Sequence, residues 1–414
     1  MNSNMHEKEL KNRSIKKETS EKMLDEDNAY RVTKRLAFPR LTGSEGDKKA
    51  REIILEEFEN AGYNLIYRDK FMTSSYNWNF VRMMFIIIGT TLLLMALSFY
   101  ITPILSLSLA LINIVITFKA LSVSVSNKIK LSRNEKYNYE TENFYVELKS
   151  QQSKAKVIFL GHWDSKSQSF SPSVRIIIFI ISIFGGFILF LTYVILSLLR
   201  ISINLNIPIL NNILLDACII IALIGVINYF NKTDNNSPGA FDNAAAVGTI
   251  IELARYYKNN PKKNIDLIFL SPGSEELNLG GAIHYIQKFK DKFDKNTTFF
   301  INLDFIGGSE LIRLISSYGI PRRSSSKKLN RLFLESAERR DFKIKDIYAP
   351  TGVWSDYMPI VQEGFEACWL GSQPGIKYVH TEKDNMDLIS KIGLKNILIL
   401  CSDVINKLDE EYNQ

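Results

Sequence analysis

Among the side chains of the kinds that hold a divalent cation or move a proton, seven stand out in this sequence: His162, Asp164, Asp242, Glu275, Glu276, Asp304 and His380. Imidazole nitrogens and carboxylate oxygens are the hard-to-borderline donors such ions take, and a carboxylate left uncoordinated beside them can act as a general base. Each has an ordinary alternative. An Asp ahead of a helix usually caps it, a Glu pair usually sits on a solvated face, and a single His is usually structural. Their joint placement argues otherwise. The chain has four histidines, and two of them, His162 and His380, lie in such stretches. His6 lies in a polar leader and His284 on a helix with no acidic neighbour in sequence, so both read as structural. In extended chain, residues two apart face the same way, so Asp164 can hold the His162 ring through its second nitrogen.

The elements that must position these groups can be read around them. In 237–255, Pro238 and Gly239 mark a turn, and Val247, Ile250, Ile251 and Ala254 recur at helical spacing, giving a helix over 242–257 with Asp242 at its start. The continuous apolar run 157–160 reads as a buried parallel strand that ends just before His162. Strands are expected at 63–67, 139–148, 265–270, 298–303, 311–316 and 365–370. Helices are expected after Gly43 and at 281–289, 328–340 and 391–408. This alternation predicts an α/β fold with a mixed, largely parallel sheet and helices on both faces. Its candidate site residues fall at strand ends, where open α/β sheets build their sites.

Two blocks break this pattern. Residues 83–118 hold no charge and have Pro103 near their middle; 176–199 are uncharged, and 209–230 are largely apolar, with Asn211, Asn212 and Asp216 near their start. About twenty apolar residues span a bilayer, so four transmembrane helices in two hairpins are expected. Asp216 reads as interfacial. The chain divides into a disordered polar tail (1–27), a first soluble part (28–80), hairpin one (81–125), a second soluble part (126–171), hairpin two (172–231) and the remainder of the soluble domain (232–414).

The formal charge of +7 is spread among many acids, with no basic stripe interleaved with aromatics, so nucleic acid is not an expected partner. Cys218, Cys368 and Cys401 are odd in number and far apart, which argues against a disulfide framework.

The order His-x-Asp (162–164), Gly-Ala-x-Asp-Asn (239–243), Glu-Glu (275–276), Leu-Asp (303–304) and His-Thr-x-x-Asp (380–384) resembles the M28 family of zinc-dependent peptidases, the aminopeptidase Y group. Arg40-Leu-Thr-Gly-Ser44 and Ser355-Asp356 with Pro359 fit the same pattern, so the likeness runs from about residue 28 to the C-terminus, interrupted by the two apolar blocks. The resemblance implies two zinc ions per chain and a peptide substrate. It makes Asp242 the bridging ligand, with His162 and Asp304 on one metal and Glu276 and His380 on the other. It leaves Glu275 as general base, with Asp164 assisting as a catalytic residue, and implies a cis peptide between Asp242 and Asn243. Some family members carry Tyr directly before the final His; here Val379 stands there and Tyr378 is one residue earlier. The expected activity is aminopeptidase. His162-Trp-Asp-Ser-Lys166 also resembles the His-Tyr-Asp-Ser-Lys stretch of zinc glutaminyl cyclases, which share the fold, use one zinc and usually have Trp before the last His. A non-catalytic membrane scaffold is a third reading; such relatives typically lose ligands, which are all present here.

Nearly eighty residues separate His162 from Asp242, so sharing a metal requires hairpin two to cross the bilayer an even number of times. Arg82, Lys119, Lys128, Lys130, Arg133, Lys166, Arg175 and Lys232 flank the hairpins on the domain side, against Arg200 alone on the far side, which predicts a multi-pass protein in the lipid bilayer with a cytoplasmic catalytic domain.

Overall fold

The computed structural model describes residues 23–121, 128–308, 311–349, 354–373 and 375–413. Residues 1–22, which hold His6 and most of the expected tail, lie outside them, as does the side chain of Lys119. The tail reading stops short of residue 27. Asp25 caps helix α1 (Glu26–Leu36), accepting from the backbone N–H of Asp27 and Asn28.

Helix α2 (Glu45–Asn60) starts at a Ser44 cap and buries Ala50, Ile53, Ile54 and Phe58. The strand expected at 63–67 instead forms at Tyr67–Ser74 (β1), because Tyr63 turns inward and donates its hydroxyl to the Ala254 carbonyl. A nine-stranded sheet follows from β1, β2 (Asn138–Leu148), β3 (Ala155–Leu160), β6 (Ile265–Ser271), β7 (Thr298–Leu303), β8 (Leu311–Tyr318), β9 (Arg323–Ser324), β10 (Ile344–Ala349) and β11 (Glu366–Gln373). Its order is β1-β2-β6-β3-β7-β11-β8-β10, with β9 beside β8. The central run β6-β3-β7-β11 is parallel, β2 and β8 join it antiparallel, and β1 lies antiparallel to β2. β3, β6 and β7 have almost no exposed surface, which is why their sequences are apolar without alternation. Helices α1, α7 (Ala245–Asn259), α9 (Lys327–Arg339) and α11 (Lys391–Glu411) share one core with the sheet, while α8 (Gly280–Phe289) and α10 (Tyr357–Gln362) contribute to a second.

The apolar blocks form α3 (Tyr76–Ile101), α4 (Pro103–Leu121), α5 (Pro172–Ile203, with a π-helical turn at Ile180–Gly185) and α6 (Pro208–Ile227). Among the described residues, three helices are long and apolar enough to cross a membrane: Arg82–Ile101, Pro172–Ile203 and Pro208–Phe230. The fourth expected span is shorter, an apolar stretch of Pro103–Phe118. Each pair interrupts two strands that are themselves paired. The first leaves between β1 and β2, where Ser74 faces Asn138, and the second between β4 (Ser167–Gln168) and β5 (Thr233–Asp234). A hairpin inserted where two antiparallel strands would turn must return its chain beside the point of departure. The soluble part therefore remains one folded unit.

Candidate metal centre

The carboxyl ends of β3, β6, β7 and β11 bring the candidate residues together. His162 stands two residues beyond β3, Glu275 and Glu276 follow β6, Asp304 follows β7, and His380 lies in the loop after β11. Asp242 comes from the turn before α7, which starts at Ala245 rather than at 242. Asp242 and Asn243 have non-helical dihedrals and the peptide between them is cis, as the resemblance implies. Asp242 is therefore no helix cap. Its backbone N–H and that of Phe241 donate to the Asp384 carboxylate at 3.2 and 2.7 Å, while Asn243 donates to the Leu303 carbonyl.

Two groups of donor atoms share Asp242. His162, Asp242 and Asp304 form one, and Asp242, Glu276 and His380 the other, with the donor atoms of each within 4.8 Å of one another. His162 Nε2 lies 3.1 Å from Asp242 Oδ1 and 3.7 Å from Asp304 Oδ1. His380 Nε2 lies 3.1 Å from Asp242 Oδ2 and 3.3 Å from Glu276 Oε2. All but His380 are essentially buried. His162 Nδ1 is 3.1 Å from the Asp164 carbonyl oxygen, which can only accept, so Nδ1 carries the proton and Nε2 presents its lone pair to the carboxylates. His162 Nε2, Asp242 Oδ2, Asp304 Oδ1 and Glu276 Oε1 have no hydrogen-bond donor. Buried acceptors converging without a donor are costly unless a cation sits between them, so this set fits a divalent metal. The electrostatics agree. Burial would lower the His162 pKa, yet Glu275, Asp164, Asp242 and Asp304 raise it well above its usual value. Burial would raise Asp242, yet the two histidines beside it hold it below the carboxylate range, so the site favours positive charge between its donors.

Asp164 does more than make the His162 contact the sequence suggests. Its carboxylate stands 3.5 Å from His162 Nδ1, while its oxygens accept from the backbone N–H of Glu275 (3.0 Å) and Glu276 (3.2 Å) and from the Thr42 hydroxyl. It thereby fixes the loop that carries both glutamates; the part that holds the His162 ring is its backbone carbonyl. Glu275 Oε2 lies 3.8 Å from His162 Nε2, and burial and then the charge of Glu276 push its pKa well up, against the opposing pull of His162.

Arg40, fully buried, donates to the carbonyls of Trp163, Pro238 and Gly239, tying the His162 loop to the Asp242 turn. Asp304 is held through Oδ2 by the Ser355 hydroxyl at 2.6 Å and by Trp369 Nε1 at 3.3 Å. Asp356 is buried with neither carboxylate oxygen bonded, and burial pushes it up to about 8. The sequence assigns no part in the site to Lys166, whose Nζ lies 2.6 Å from Glu276 Oε2, nor to Gln168 and Asp384. Lys166 and Asp384 do stand in the quoted motifs; Gln168 does not. His284, read as structural, finds its acidic partner far off in the chain: its Nε2 lies 3.1 Å from Asp69 Oδ2 on β1, over two hundred residues away in sequence.

Residues 225–405 match peptidase family M28. The aminopeptidase YwaD of Bacillus subtilis (strain 168) is 28% identical over 164 residues, which are 38% of this chain and 35% of that protein. The match thus spans about a third of that relative's length. Among solved structures, an aminopeptidase from Aneurinibacillus sp. strain AM-1 aligns with a TM-score of 0.54 at 13% identity, covering 94% of each chain. A glutaminyl cyclase from an Acidobacteriales bacterium aligns with a TM-score of 0.55 at 14% identity, covering 94% of this chain and 96% of that one. At these identities the two structures share the fold.

Proposed function

We propose, from the match of residues 225–405 to peptidase family M28, that this chain is a membrane-anchored zinc aminopeptidase acting on peptides. The observation that carries this reading is the pair of donor groups sharing Asp242, with an uncoordinated glutamate beside them. His162 and Asp304 would hold one zinc ion, Glu276 and His380 the other, and Asp242 would bridge them. Bound there, the ions would supply the acidity that turns water into a nucleophile at neutral pH and would polarise the scissile carbonyl. The protein does the rest. Asp164, through the amides of Glu275 and Glu276, keeps one glutamate turned to ligation and its neighbour to proton transfer. Glu275 takes the proton of the attacking water and delivers it to the departing amine, the work of a general base and then a general acid. Burial raises Glu275 and His162 opposes that rise; cations held at the two positions would add to the opposition and favour the ionised carboxylate.

The test is mass spectrometry of a peptide pool incubated with the detergent-purified protein, wild type beside Glu275→Gln. The pool holds free, N-acetylated and N-terminal-Gln peptides. Stepwise loss of first residues from free peptides, reduced by about 10²–10⁴-fold in the variant, is the expected result. Loss of ammonia from the Gln peptides would identify a glutaminyl cyclase. No product, from a protein that also binds no metal, would leave a scaffold.

The membrane part of the proposal is a four-helix, two-hairpin anchor with the catalytic domain in the cytoplasm. Arg82, Lys128, Lys130, Arg133, Lys166, Arg175 and Lys232 lie on the domain side and Arg200 on the other. In a cysteine-free background, a thiol introduced at Asn204 should react with a membrane-impermeant maleimide on intact cells and one at Glu135 should not. The reverse pattern would invert the topology.

A further inference from the structure

The two histidines of the metal centre are oriented by different parts of the molecule. His162 is fixed by a backbone carbonyl in its own loop, within the sheet domain. His380 is fixed by the root of hairpin two. Gln168, the last residue of β4 before that hairpin, donates its backbone N–H to the His380 carbonyl at 2.9 Å and places Oε1 3.2 Å from His380 Nδ1. The same Oε1 accepts from Arg175 Nη1, and Arg175 lies in the first turn of α5, the helix that runs on as a candidate membrane span.

Proton logic runs along this line. A guanidinium can only donate, so Arg175 decides which end of the Gln168 amide faces the site: the oxygen. An amide oxygen can only accept, so His380 Nδ1 must carry its proton there. His380 Nε2 then keeps its lone pair, aimed at Asp242 Oδ2 and Glu276 Oε2. Without Arg175 the amide is free to turn, present its NH₂ group to Nδ1, and drive the proton onto Nε2, the tautomer that cannot ligate. His380 also sits at φ +62°, in the left-handed region that a non-glycine residue adopts at a cost, so its backbone depends on contacts such as the one from Gln168. The second position is further exposed to perturbation because Lys166 Nζ, 2.6 Å from Glu276 Oε2, already neutralises one of its ligands.

We propose that hairpin two sets the affinity of the Glu276–His380 metal position, with Gln168 and Arg175 as positioning residues for His380. This rests on the metallopeptidase reading. It makes the membrane segment part of the site's construction, with the packing of α5 felt at a metal ligand.

The experiment is calorimetric titration of Zn²⁺ into the metal-stripped, full-length, detergent-purified protein, read beside its melting temperature. Wild type should show two binding events. Gln168→Leu and Arg175→Met should each weaken one event by about 10–100-fold, as loss of a ligand's hydrogen-bond partner does, and leave the other unchanged. Arg175→Lys, which keeps a donor, should restore most of the loss. If Gln168→Leu does not fold, Arg175→Met, at a half-buried position, makes the same test. Unchanged affinities in both variants would overturn the proposal. So would equal weakening of both events with a fall in melting temperature, since that is general loosening. A wild-type protein that binds no Zn²⁺ would overturn the metallopeptidase reading itself, and this inference with it.

Discussion

The sheet domain and the hairpins draw on the same apolar residue types and use them in opposite ways. Ile158, Phe159, Leu160, Leu267 and Phe269 are sealed between the sheet and its helices. Ile101, Ile188, Ile209 and Ile220 point outward, and only 17% of the apolar window in Pro208–Phe230 is buried. The helices do have a core of their own, around Phe85, Leu92, Met95, Phe99, Phe190 and Tyr193, but it is one-sided. A close-packed interior fixes atoms on every side, whereas an outward apolar face fixes depth in a bilayer and little else. The centre that needs a fixed arrangement of donors therefore stands on strand ends of the first region. The second reaches it through a few polar side chains at the hairpin roots.

Substitutions can break this comparison. The largest effect should come from Phe269→Ala, which removes a fully buried ring stacked 5.7 Å from Phe159, at a cost of about 3–5 kcal/mol. Chemical denaturation should show that loss. Ile220→Ala, on the outward face of α6, should change stability in detergent by less than about 0.5 kcal/mol. Equal losses would mean that the outer faces of the hairpins are packed against protein after all.

A smaller effect lies at the sheet edge. Burial alone would raise the Asp69 pKa, but hydrogen bonds from His284 and Lys288 bring it below the usual carboxylate value. A depressed carboxylate stabilises the fold above its unfolded pKa, and that contribution is lost as pH falls through the lower folded value. Asp69→Asn should therefore be less stable than wild type near neutrality by at most about 1 kcal/mol, since both partners are partly solvated. The gap should close below about pH 4. A gap that widens in acid would contradict the assignment.

What could be read in advance follows the same division. Continuous apolar runs identified β3, β6 and β7 nearly to the residue because those strands are buried on both faces, and long uncharged runs marked the hairpins. Strand β1 lies later than the expected 63–67 because its charged residues mask a half-buried alternation. Strand β10, at the exposed edge, gave no signal. The helix expected at 242–257 forms at Ala245–Asn259, since a run of small apolar residues does not reveal that Asp242 and Asn243 are non-helical. His162, Asp242, Asp304, Glu276 and His380 could be found because their types and order are informative. Lys166 and Gln168 could not, because what they do depends on partners more than a hundred residues away, and Arg175 acts only through Gln168.

The most direct test of the centre is the metal content of the full-length protein after zinc loading and dialysis, wild type beside Asp242→Ala, by inductively coupled plasma mass spectrometry with peptide hydrolysis measured on the same samples. The shared carboxylate predicts two zinc ions per chain in the wild type, and loss of both metal and activity in the variant. A variant that keeps two ions and cleaves peptides would show that Asp242 does not join the two positions.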